Sequence, residues 1–81
     1  MTRDAEERLR EILAKVLLLE ESEINDELSR KDLESWDSLA HLMLINEVEA
    51  SFNVTLSDDE IIAINTVGDL KKALRRNGVK I

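Results

Sequence analysis

The chain has 81 residues, room for one small domain, and carries eighteen acidic residues against eleven basic ones, a formal charge of −7. It contains no Cys, which excludes a disulfide framework, a thiolate metal site and a cysteine nucleophile, and one His, which excludes a histidine-rich metal site. The charge argues against nucleic acid and anionic membranes, both of which need clustered Lys and Arg, and favours basic protein partners.

With two Gly and no Pro, helix is the first expectation throughout. The charged start, Met1 to Arg8, is not followed by a signal-like apolar run, and the longest apolar run, Val16 to Leu19, is too short to span a bilayer. A cytoplasmic location is expected. Ala5, Leu9, Ile12, Leu13, Val16 and Leu17 recur at three- and four-residue steps, which predicts a first amphipathic helix over about residues 3–18. Residues 19–37 lose this periodicity and are expected to form a long loop, packed down by Ile24, Leu28 and Leu33, with room for a helical turn near 29–33.

Residues 38–52 form the next helix pattern, with Asp37 placed to cap it. At 100° per residue, His41, Leu44, Ile45, Val48 and Phe52 share about one quarter to one third of the wheel, the core face. Leu42 borders that face. Leu39, Met43, Asn46, Glu47 and Ala50 fall on the far side, so Leu39 and Met43 are apolar side chains opposite the core: a docking strip, or isolated surface residues that need no special explanation. Ser57 and Glu60 make a capping box for a short helix over 57–63. Thr66 caps the last helix, whose core side carries Val67, Leu70, Ala73 and Leu74; Lys71, Lys72, Arg75 and Arg76 suit its C-terminal dipole, and Gly78 stops it. The predicted fold is all-α: a small four-helix bundle of three longer helices and one short one, with a long loop between helices one and two. Residues 1–81 are expected to be a single domain.

Charge is unevenly spread. Residues 37–60 hold Asp37, Glu47, Glu49, Asp58, Asp59 and Glu60 and no Lys or Arg, whereas residues 61–81 carry five cations against Asp69. Dipole service explains Asp37, Asp58, Asp59 and Glu60; Glu47 and Glu49, well along the helix, are surface charges or docking charges.

Trp36-Asp37-Ser38-Leu39-Ala40-His41-Leu42, with Glu47-Val48-Glu49-Ala50-Ser51-Phe52, Leu56 to Glu60 and Ile64 to Leu70 downstream, resembles the acyl carrier protein family over nearly the whole chain. The resemblance implies 4′-phosphopantetheine, taken from coenzyme A by a phosphopantetheinyl transferase, on Ser38, with acyl groups carried as thioesters on its terminal thiol. It assigns Asp37 a part in recognising the transferase. Leu39, Met43, Asn46, Glu47 and Glu49 fall on the partner-facing helix, and Asp58, Asp59 and Glu60 extend an acidic surface for acyl-loading and synthase enzymes with basic docking faces. Leu42, Ile61 and Ile62 match positions around an acyl chain sheltered between helix two and the short helix; plain core is the alternative for Ile61 and Ile62. No catalysis by the chain itself, no membrane span and a monomer are expected.

The sequence departs from the family pattern in two places. Glu34-Ser35-Trp36 stands where the family often has a Gly, and His41 replaces a smaller residue. Trp36 is expected to pack the loop onto helix two, with contact to the transferase and the arm as the alternative, and His41 to hydrogen-bond to that loop, with contact to the phosphate on Ser38 still open. The Trp-Asp-Ser-Leu-x-His form looks more like a specialised stand-alone carrier than the housekeeping fatty-acid carrier. Fatty-acyl, polyketide, D-alanyl and amino-acyl carriers share this architecture, and the local acidity favours acyl over peptidyl cargo. Two other functions compete: an unmodified helical interaction domain using Leu39 and Met43, and a small hydrolase using Ser38 and His41, which lacks a third triad member and an oxyanion hole.

Overall fold

The structure, a computed structural model, describes residues 4–81. Arg3, the expected first residue of helix one, lies outside the described residues. Four α-helices follow in order: α1 (Ala5–Leu17), α2 (Ser38–Phe52), α3 (Asp58–Ala63) and α4 (Val67–Arg76). Among the described residues there is no strand, only an isolated antiparallel bridge between Ser29 and Thr66.

Each helix starts on a side chain that accepts a first-turn amide. Asp4 accepts from Glu7 N–H at 2.8 Å, Asp37 from Ala40 N–H at 2.8 Å, Ser57 from Glu60 N–H at 3.1 Å and Thr66 from Asp69 N–H at 3.0 Å. The last two are full capping boxes, in which Glu60 and Asp69 reach back to the cap amides. At the other end, α4 closes in a Schellman motif. Gly78 N–H donates to Arg75 C=O and Val79 N–H to Leu74 C=O, with Gly78 at φ 92°. Asn53 closes α2 in the left-handed region at φ 55°, and Leu18 does the same for α1 at φ 59°.

The core joins Leu9, Ile12, Leu13 and Leu17 of α1, Leu44, Ile45 and Val48 of α2, and Val67, Leu70, Ala73 and Leu74 of α4. Removing such leucines from water supplies about 2–3 kcal/mol each, the main force against chain entropy. Of the expected core face of α2, Phe52 is only half-buried. The Arg8 guanidinium lies 4.5 Å over its ring, and Arg8 also donates to the Ser51 carbonyl.

The stretch expected as a long loop is organised. It contains two 3₁₀ turns, Glu21–Glu23 and Arg30–Asp32, the second inside the segment where a helical turn was expected. Ile24 and Trp36 bury their side chains from it. It is also tied by backbone bonds to the start of α4: Arg30 N–H to Asn65 C=O, Val67 N–H to Leu28 C=O and Gly68 N–H to Asp26 C=O. At the same junction Lys71 of α4, nearly buried, places Nζ 2.5 Å from Glu6 of α1 and 2.7 Å from Asp26.

α3 is the exception. None of its residues is fully buried. Ile61 packs half-buried against the core, and polar bonds add to this: Glu60 to Arg76 at 3.3 Å and to Asn77 at 3.1 Å, and Ile61 C=O to His41.

Candidate functional site

Ser38 is the first residue of α2, and its side chain is exposed. The helix starts there because Asp37 turns from extended backbone (φ −87°, ψ −174°) and its carboxylate caps the Ala40 amide, while its carbonyl accepts from His41 N–H at 2.9 Å. An exposed hydroxyl at a helix start suits attachment of a phosphate, because the first-turn amides and the helix dipole favour negative charge.

Behind this helix start sits a buried polar chain. The Trp36 indole Nε1–H donates to His41 Nδ1 at 3.0 Å, and His41 Nε2 lies 2.9 Å from Ile61 C=O. An indole nitrogen can only donate, so Nδ1 is the acceptor and the ring proton resides on Nε2, which donates to Ile61. Trp36 is 2% exposed and His41 4%. Burial pushes the imidazole below its ordinary pKa; the Ile61 carbonyl opposes this, and the Arg30 cation adds to the depression. His41 does bond to the preceding loop, as expected, through Trp36. Its second partner on α3 was not foreseen, because a backbone carbonyl leaves no signature in sequence.

Leu39, Leu42 and Met43 of α2 and Ile62 of α3 are exposed apolar side chains, between 49% and 73% accessible. Ile61 is half-buried against the core. Met43, Asn46 and Glu47 line one open depression with Ala50 on the outer side of α2. The expected acidic residues divide. Asp58 and Asp59 are exposed. Glu47 pairs with Lys15 of α1 at 3.0 Å. Glu49 is half-buried and accepts the Leu56 amide at 2.8 Å, bracing the α2–α3 connection. Glu60 is taken up by its own capping box and by Arg76 and Asn77. A cavity of about 320 Å³ lies elsewhere, between α1, residues 24–26 and α4, and no expected site residue lines it.

Among the described residues no group of His, Cys, Asp and Glu could hold a metal, and no helix is long and apolar enough to cross a membrane. Residues 7–74 match the family model described as a phosphopantetheine attachment site. The chain is 37% identical over 62 residues to a protein named acyl carrier protein from Exiguobacterium sibiricum, covering 76% of this chain and 78% of that one. It is also 37% identical over 68 residues to a protein named 3-methylorcinaldehyde synthase from a Phoma species. That match covers 84% of this chain but spans only 2% of the relative's length.

Proposed function

Because the chain belongs to the family of phosphopantetheine-bearing acyl carrier proteins, we propose that Ser38 is its attachment residue and that it passes acyl groups between partner enzymes. The observation that carries the assignment is the exposed Ser38 hydroxyl at the capped head of α2, within the segment that matches the family. Asp37 fits the same role twice, as the cap that forms the helix start and as a carboxylate exposed beside the hydroxyl. The prosthetic group, joined as a phosphodiester, supplies the thiol that this cysteine-free chain lacks.

The apolar strip of Leu39 and Met43, with Asn46, Glu47, Asp58 and Asp59 around it, is the proposed docking face for a phosphopantetheinyl transferase and for loading and synthase enzymes with basic surfaces. Glu49 and Glu60 act there through the geometry they maintain, since their carboxylates are already engaged. Leu42, Ile61 and Ile62 flank the α2–α3 side, where an acyl chain would shelter. The name of the Exiguobacterium relative supports acyl over amino-acyl cargo, and cargo of fatty-acid, polyketide or related type is the proposed class. Residues 1–81 act as one carrier domain in this proposal, monomeric and cytoplasmic, with 19–37 as its long loop.

The chain does no catalysis of its own. Both ring nitrogens of His41 are engaged, one by Trp36 and one by Ile61, so neither is placed to take the Ser38 proton as a hydrolase would require. The test is an intact-mass spectrum after incubation with coenzyme A and a promiscuous transferase. The wild type gains one phosphopantetheine mass and Ser38→Ala gains none. No gain by the wild type, under conditions that load a control carrier, would sink the proposal and favour an unmodified interaction domain.

A further inference from the structure

We infer that His41 is a positioning residue for Ser38: through Nδ1 it holds Trp36, and through Trp36 it fixes the turn that presents the serine. This deepens the attachment-site proposal above and rests on it. Trp36 is two residues before Ser38, its indole is buried, and its N–H ends on His41 Nδ1 at 3.0 Å. The opposite ring nitrogen anchors the imidazole to α3 through Ile61 C=O at 2.9 Å. His41 is therefore held from one side and holds from the other.

The arrangement depends on protonation state. A neutral imidazole offers one acceptor and one donor, which matches these two partners. An imidazolium offers two donors. The Ile61 bond survives that change, but Nδ1–H then faces the indole N–H, donor against donor, in a buried site where an unmade hydrogen bond is costly. Trp36 must move, and the 36–38 turn with it. Arg30 is the cation whose field reaches the ring, and it disfavours protonation. The carboxylates of the α2 start, α2 and α3 are engaged elsewhere or solvated: Asp37 with the Ala40 amide, Glu47 with Lys15, Glu49 with the Leu56 amide, Glu60 with Arg76 and Asn77, and Asp58 and Asp59 in solvent.

Trp36 and His41 are each the single residue of their kind in the chain, so each reports its own state without labels. The experiment follows Trp36 emission, the His41 ring signals and the Ser38 amide in the unmodified protein across an acid titration. All three should share one midpoint. Trp36→Phe removes the indole donor and should raise the His41 midpoint. His41→Gln, whose amide can accept from Trp36 and donate to Ile61, should keep the neutral-pH emission and remove the shared transition. In transferase loading at neutral pH, His41→Phe should be slower by about tenfold, as expected for a misplaced reacting group, and His41→Gln should restore the rate.

An unmoved His41 midpoint in Trp36→Phe, or a Ser38 amide that titrates identically in His41→Gln, would overturn the inference. Where His41→Phe does not fold, the Trp36→Phe titration decides. Failure of the wild type to load would overturn the attachment-site proposal alone, because the spectroscopic readouts do not depend on loading.

Discussion

Lys71 Nζ lies 2.7 Å from Asp26 Oδ1, joining the middle of α4 to the α1–α2 connection; Glu6 completes the bridge to α1. Burial alone would lower the lysine's pKa, but the bonds to Asp26 and Glu6 outweigh it and the net shift is upward. Both carboxylates are more than half exposed, so the pairs are screened by water. Lys71→Met should therefore cost only about 1 kcal/mol, and less in high salt. Lys71→Ala should cost about 2 kcal/mol, because the buried stem is lost as well. Urea unfolding at two salt concentrations separates the two contributions.

Leu39 and Leu44 lie on the same helix and have opposite fates. Leu44 is fully buried and Leu39 is largely exposed. Leu44→Ala should destabilise by about 3 kcal/mol, whereas Leu39→Ala should change stability by less than about 0.5 kcal/mol. If Leu39 belongs to the docking face, its variant melts like the wild type but is loaded more slowly by the transferase. Thermal melts and loading rates, measured on both variants, check the contrast.

Two of the left-handed residues, Leu18 and Gly78, predict opposite signs. Leu18 occupies φ 59° with a bulky side chain, so Leu18→Gly should range from neutral to about 1 kcal/mol stabilising, strain relief offset by glycine's entropy. Gly78 sits at φ 92°, and a Cβ there would meet nothing within 4 Å. Gly78→Ala should therefore cost about 1 kcal/mol through the backbone alone. Chemical denaturation of both variants reads the signs directly.

Stability should fall in two stages on acidification. Burial holds His41 below its ordinary 6.5, so between its folded value and 6.5 the unfolded chain binds the extra proton. That contribution is complete above 6.5 and is lost as pH falls, by at most about 1.4 kcal/mol per pH unit. Asp26, held low chiefly by the Lys71 bond, and Glu60, held low first by the Ser57 amide and then by Arg76 and Asn77, contribute above their ordinary 3.8 and 4.5 and lose this at lower pH. Lys71 works in the opposite direction: its contribution is complete below 10.5 and disappears as pH rises through its folded value. Urea midpoints across the pH range should show a plateau flanked by these declines, and His41→Gln should lack the first acid decline.

Helix starts were legible because Asp37, Ser57 and Thr66 are capping chemistry written in side chains. The core face of α2 was legible for the same kind of reason, a regular apolar spacing. What escaped was long-range and polar. Lys71 looked like a dipole cation on a basic helix; its partners Glu6 and Asp26 are remote in sequence, and nothing local marks them. From sequence Glu49 is a surface or docking charge; its bond to the Leu56 amide leaves no signature there, because any residue would supply that amide. Leu42 sat on the border of the wheel, and the structure leaves it mostly exposed.

α3 buries no side chain completely and is retained by hydrogen bonds to Glu60 and Ile61. Detaching it would uncover chiefly the half-buried Ile61, so that event should carry only a small heat-capacity change and a weak denaturant dependence. Calorimetry and urea titration would register chiefly the collapse of α1, α2 and α4. Movement of α3 would show in amide exchange, at a free energy well below that of the rest of the molecule, and in the His41 ring signals, because it breaks the Ile61 bond.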